Sequence, residues 1–239
     1  MPASTLHRRF ARGALDSTPF ILVAGPFGML FGVLATEAGL NLFETMAFSV
    51  AVFAGAAQFT ALQLMQEQAP TLIALISALA VNLRVAMYSA ALTPYLGQAS
   101  LLTRAFAAYL LVDQSYALSH AKFEAEPKMP LPEKIAYYFG TAAVITPLWM
   151  VASFVGAVLG NAIPSDAGLD FALPIAFIAM TGPMLRTPAH VVAALVACSC
   201  AIPAAWLPFN LGLIVAGLTG MLAGAQAELW FEARKERTA

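Results

Sequence analysis

Long apolar runs separated by short polar stretches dominate this chain. Their lengths and turn signals predict helices over 18–38, 43–65, 70–92, 103–121, 136–160, 171–185, 188–206 and 209–227. Most are near the roughly 20 residues that a helix needs to cross the hydrocarbon core of a bilayer. The run 171–185 is short for a crossing and reads either as a full span or as a half-span shielded by protein, so the count is eight or seven. The predicted fold is therefore all-α, a polytopic helical membrane domain occupying 1–239.

Composition supports that reading. Hydrophobic residues make up 60% of the 239 residues, charged residues only 10%, and mean hydropathy is +0.78. Soluble domains carry about 25% charged residues. Seven or eight spans with short loops fill this length, which leaves membrane lipid as the main surroundings. A net charge of −1 spread over such a surface indicates no nucleic-acid partner. Cys198 and Cys200 sit in an apolar run and read as small packing residues.

Three basic clusters set the orientation: Arg8, Arg9 and Arg12; Lys122, Lys128 and Lys134; and Arg234, Lys235 and Arg237. An eight-span count places all three on one side, which the positive-inside rule makes cytoplasmic, with Arg104 the main exception. Both termini are then cytoplasmic, and 1–17 reads as an uncleaved basic lead-in.

The stretch around 122–135, with Pro127, Pro130 and Pro132, reads as a hinge between halves 18–121 and 136–227. Those halves resemble one another. Thr18-Pro19 matches Thr146-Pro147, Val23-Ala24 matches Val151-Ala152, and Gly28 and Gly32 match Gly156 and Gly160 at one offset; Ala38-Gly39-Leu40-Asn41 matches Ala167-Gly168-Leu169-Asp170 after one inserted residue. An internal repeat in a membrane protein indicates either an alternating-access transporter with a midplane site or a duplicated packing unit. Four crossings between equivalent helices make the repeat parallel, and the loss of one makes it inverted.

Candidate chemistry lies in the few polar residues inside apolar runs. Arg84 stands out, since a guanidinium stays charged and needs a partner, cavity or ligand in such a setting. Arg84 and Tyr88 share one helix face, Asn82 and Ser89 another. Asp113 is placed near the centre of the fourth run, about one helical turn in height from Arg84, close enough to pair. That pair is either a structural bridge or part of a substrate or proton site. Gly55 to Gln58 gives a small-residue surface beside an amide that serves as interhelical glue or as a ligand contact. Pro26 frees the Leu22 carbonyl and marks either a packing kink or a broken-helix binding element next to Phe27. The GxxxG pairs Gly28/Gly32, Gly156/Gly160 and Gly220/Gly224 suit close helix approach. There is no HExxH, GxSxG, P-loop or buried acid dyad, so no enzyme activity, metal or other cofactor is indicated.

Phe53-Ala54-Gly55-Ala56-Ala57-Gln58-Phe59, Val81-Asn82-Leu83-Arg84 with Tyr88-Ser89, Leu92-Thr93-Pro94-Tyr95-Leu96 and Asp113-Gln114-Ser115-Tyr116-Ala117-Leu118 follow one another in the order of the AzlC-type motifs. Over nearly its whole length the chain resembles that family, the large subunits of bacterial branched-chain amino acid exporters. The resemblance implies export of leucine, isoleucine, valine or similar small apolar amino acids across the bacterial inner membrane, with a small, about four-helix AzlD-type subunit. Val85 stands where members commonly have His, and Gln114 where they commonly have Glu. On this reading Arg84, with Asn82 or Gln58, engages the amino acid carboxylate, Asp113 and the carbonyl freed at Pro26 receive the ammonium, and Phe27, Phe31 and Phe53 line the side-chain pocket. The alternatives are a transporter of another small solute and a non-transporting membrane assembly subunit.

Overall fold

The computed structural model describes residues 3–160, 185, 187–207 and 211–238. They form helices α1 (Ala3–Ser17), α2 (Ile21–Glu37), α3 (Leu42–Ala51), α4 (Gly55–Gln66), α5 (Thr71–Leu96), α6 (Leu101–Tyr109), α7 (Asp113–Ala125), α8 (Leu131–Gly160), α9 (Pro188–Ala204) and α10 (Leu211–Thr238). A 3-10 turn, Thr18–Phe20, joins α1 to α2. Four stretches among the described residues are long and apolar enough to cross a membrane: Ser4–Glu37, Thr71–Leu96, Leu131–Gly160 and Ile214–Phe231. This is a helical membrane protein. The predicted segment 171–185, apart from Leu185, and the repeat partners at 167–170 lie outside the described residues.

The chain forms two compact units, Met1–Leu62 with Val81–Ala167, and Gln63–Ala80 with Gly168–Ala239. In the first, α1 and α2 lie against α8 along almost their whole length. Gly13 meets the backbone of Tyr137 and Thr141, Gly28 meets Trp149 and Ala152, Gly32 meets Ser153 and Ala157, and Gly160 meets Val33 and Thr36. Partner numbers rise together, so the two helical rods run parallel. Arg9 to Glu133 and Ser17 to Thr141 repeat the same separation of 124 residues. Small residues on both sides let the backbones touch, and in lipid such van der Waals packing replaces hydrophobic burial as the associating force.

Local signals end α2 and start α3. Gly39 takes φ of +86°, which glycine adopts without a Cβ clash. The Leu40 amide then donates to Ala35 and the Gly39 amide to Thr36, closing the helix end in a Schellman pattern. Asn41 caps α3 through the Glu44 amide, and Glu44 returns a bond to the Asn41 amide. Phe31 and Phe48 meet edge to face at 5.7 Å, so α3 turns back antiparallel to α2.

Two predicted crossings are not continuous helices. The run 43–65 is α3 and α4, broken at 52–54, and the run 103–121 is α6 and α7, broken at 110–112. The second pair turns back on itself. Arg84 pairs with Asp113, Tyr88 stacks on Tyr116, and Tyr95 meets His120 and Phe123, so α7 runs parallel to α5, while α6 joins them through a turn of only four residues, 97–100. It follows that α6 descends from the end of α5 to mid-height and α7 climbs back, a re-entrant hairpin. Irregular backbone at membrane depth is tolerated where protein covers it, as here.

The N-terminus of α1, the C-terminus of α7 and the start of α8 share one end, where the first two predicted basic clusters lie. Arg9 pairs with Glu126 at 2.9 Å and Glu133 at 2.8 Å, Lys122 pairs with Glu126 at 2.7 Å, and the Tyr137 hydroxyl donates to Asp16. Hydrogen bonding by Lys122, then the nearby Arg9, hold the Glu126 carboxyl below the usual glutamate range. The predicted lead-in is thus a docked helix, and the predicted hinge 122–135 narrows to 126–130, braced by these charges. In the second unit α9 and α10 form an antiparallel pair. Gly212 packs on Ala204, Gly220 on Ala197, and Gly224 on Ala193.

Candidate functional site at the paired helix breaks

The two breaks meet. At the end of α6, the Tyr109 hydroxyl donates to the Val50 carbonyl in the last turn of α3 at 2.7 Å, and its ring lies 6.1 Å from that of Phe53. The second break is tied by Ser115, whose hydroxyl accepts from the Val112 amide and contacts the carbonyls of Val112 and Leu110. Asp113 therefore opens α7 instead of lying mid-helix as predicted. At that position the exposed amides of the first turn favour its negative charge.

Arg84 and Asp113 form the expected pair, Nη2 to Oδ2 at 3.1 Å. Their side chains keep 28% and 32% of their surface exposed. Arg84 Nε and Asp113 Oδ1 are buried without a hydrogen-bond partner. The Tyr88 hydroxyl lies beside the same carboxylate, and its ring stacks on Tyr116 at 4.2 Å and 9°. On the basic-end side, a cleft of about 80 Å³ lies among Ser89, Leu92, Thr93, Arg104, Leu111 and Tyr138. It is roomy enough for water.

Gln58 and Gly55 belong to the other break. A Cβ on Gly55 would lie 2.9 Å from Trp149 Cη2, so the glycine lets the indole ring cover the start of α4. Trp149 Nε1 donates to Ser49 at 3.1 Å, and Phe27 lies 4.7 Å from Phe59 and 6.3 Å from Trp149. Gln58 is fully buried, with neither amide atom partnered. Phe31 is buried in this aromatic cluster, while Phe53 stands at the break itself.

Two predicted contributors lie apart from these groups. Pro26 is exposed on the outward face of α2 beside Leu22, 81% exposed, and α2 continues through it. Asn82 is half-buried, and no hydrogen bond joins it to Arg84 or Asp113 among the described residues. Tyr109, Trp149, Ser49 and Tyr116 enter the site without having been singled out. Tyr109 just before an acidic helix start, and one tryptophan inside an apolar run, were the available signals.

The AzlC protein family matches residues 19–163, which include both breaks and the Arg84–Asp113 pair. The Escherichia coli inner membrane protein YgaZ is 26% identical over 71% of this chain and 70% of its own. An uncharacterized membrane protein of Archaeoglobus fulgidus is 27% identical over 92% and 96%. One from Helicobacter pylori is 27% identical over 64% of this chain, which spans a little under two thirds, 65%, of that relative. No solved structure matches. With the family matched over more than half its length, the chain belongs to the AzlC protein family.

Proposed function

We propose that this protein is a secondary transporter that exports branched-chain or similar small apolar amino acids across the bacterial inner membrane, with a small AzlD-type partner subunit. The observation that carries the reading is the pair of buried, unpartnered atoms on one ion pair, Arg84 Nε and Asp113 Oδ1. A zwitterion offers the matching groups. Once the pair opens, its carboxylate would match the guanidinium at Nε and its ammonium the carboxylate at Oδ1. Charges then cancel locally, which lowers the cost of holding them in low dielectric. Tyr88 and Tyr116 form one apolar wall beside the pair.

Two helix breaks joined by the Tyr109–Val50 hydrogen bond, one of them the tip of a re-entrant hairpin, also favour transport, because broken helices at the midplane are recurrent sites in secondary transporters. Breaking the Tyr109 contact would let the breaks part. The basic end of the first unit is the cytoplasmic one on the positive-inside rule, with both termini cytoplasmic.

Efflux from vesicles carrying the chain and its small partner tests the substrate class. Labelled leucine should leave, and unlabelled isoleucine and valine should compete. Competition by organic acids lacking an ammonium, with none by amino acids, would overturn the zwitterion assignment. A stable complex that moves no solute under any gradient would favour the assembly-subunit reading.

A further inference from the structure

The first break holds polar atoms of Thr45, Ser49 and Ser153 that the amino acid reading does not use, beside Gln58, which that reading gives only as an alternative to Asn82. Thr45 and Ser49 are fully buried on one face of α3, four residues apart. Ser153 is fully buried on α8, four residues past Trp149. The Ser49–Trp149 hydrogen bond fixes the level of the two helices, and α3 runs opposite to α8, so one turn back along α3 is one turn forward along α8. Thr45 and Ser153 thus lie at the same height. Neither hydroxyl has a hydrogen-bond partner, not even the carbonyl one turn earlier on its own helix. Gln58, also unpartnered, shares the α4 face of Gly55, which packs under the Trp149 ring.

The end of α3 adds carbonyl oxygens. Phe48 accepts from the Val52 amide and Val50 from the Tyr109 hydroxyl, while the carbonyls of Ser49 and Ala51 accept no hydrogen bond among the described residues. This is the negative end of a helix dipole, with Ser49 and Phe53 buried on its inner side. Buried polar atoms of this kind are rarely left unsatisfied, so several on the helices that meet at one break point to a bound species.

We propose that the side-chain oxygens of Thr45, Ser49, Ser153 and Gln58, with the Ser49 carbonyl, form a sodium-ion site at the first helix break. The set is all oxygen, which suits a hard cation, and it contains no carboxylate, which suits a monovalent ion over calcium or magnesium. Half-helix C-termini and unwound carbonyls coordinate sodium in transporters with broken helices. The ion would tie α3 to α8 and hold α4 against them. Use of this ion for coupling rests on the amino acid reading, whereas binding itself does not.

Thermal unfolding of the purified protein without any amino acid separates the two. Melting is followed in sodium, potassium and choline chloride at one ionic strength. The expected result is a saturable rise in Tm with sodium over the other two salts. Thr45→Val and Ser153→Ala, which keep shape but remove an oxygen, should each raise the half-saturating sodium concentration about tenfold or more. Equal melting in all three salts would overturn the site, and needs no variant to be stable. Wild-type half-saturation in both variants would overturn it too.

Discussion

Three glycines on one face of α2 form a graded test of the parallel seam. A Cβ on Gly25 would meet Leu148 Cδ1 at 3.9 Å, an ordinary contact. On Gly28 it would meet the Ala152 Cβ at 3.0 Å and the Trp149 oxygen at 3.2 Å, which a shift of a few tenths of an ångström relieves. On Gly32 it would overlap the Ser153 carbonyl and sit 2.5 Å from the Ala157 nitrogen and 2.8 Å from the Gly156 carbonyl carbon, all of it backbone. No rotamer can relieve that. The helices must separate by about 1 Å, beyond the 1 to 3 kcal/mol typical of overpacking. Replacing glycine by alanine in a helix returns about 1 kcal/mol of propensity. The expected net effects are a gain of up to about 1 kcal/mol for Gly25→Ala, a change within about 1 kcal/mol for Gly28→Ala, and a loss of about 2 kcal/mol or more for Gly32→Ala. Unfolding of each variant in detergent micelles by a denaturing surfactant reads the order. Equal stability of Gly28→Ala and Gly32→Ala would mean that α2 and α8 do not touch backbone to backbone there, and the parallel packing would be wrong.

Three further outcomes follow from named contacts. Tyr109→Phe removes the hydroxyl that joins the two breaks; stability should change by no more than about 1.5 kcal/mol, while thiol labelling of a cysteine at Val112 should become faster. Glu126 has a depressed pKa, so its support for α1 docking is full above the ordinary glutamate value of about 4.3 and is lost as pH falls through the lower folded value. Trypsin cleavage within α1 should then stay slow from about pH 8 to 5 in wild type and become faster at that pH in Glu126→Gln, whereas equal cleavage would contradict the brace. Trp149→Phe keeps the ring packing but strands Ser49, and should cost about 1 to 3 kcal/mol in the same unfolding assay.

Polar residues in apolar runs made the pair legible, since Arg84 and Asp113 were too costly to leave unpartnered in lipid and too few to have many choices. The breaks were harder to read. Val52-Phe53-Ala54 and Leu110-Leu111-Val112 are as apolar as the helices they interrupt and contain no proline or glycine. Hydropathy measures transfer to lipid, which is blind to a turn whose backbone is covered by protein. Two local signs were present: Gly55 directly after the first break, and Asp113 with Ser115 directly after the second, an acidic helix start with a hydroxyl that ties the turn. The repeat offset also pointed at the seam, because Gly28, Gly32, Gly156 and Gly160 are both the matched positions and the points of contact. Pro26, by contrast, marks no break, since α2 continues through it. A proline inside a helix frees a carbonyl, but its own exposed position leaves that turn facing outward.

The measurement that bears most directly on the account is labelled leucine efflux from vesicles holding wild type or Arg84→Ala at equal inserted amounts, each with the small partner subunit. A charge-assisted contact to the substrate carboxylate is worth up to about 3 kcal/mol, and each 1.4 kcal/mol is about tenfold. The account predicts efflux in Arg84→Ala reduced to about one hundredth of wild type. Efflux at the wild-type rate would show that the guanidinium beside Asp113 is only a bridge between α5 and α7, and would remove the substrate site from the helix breaks.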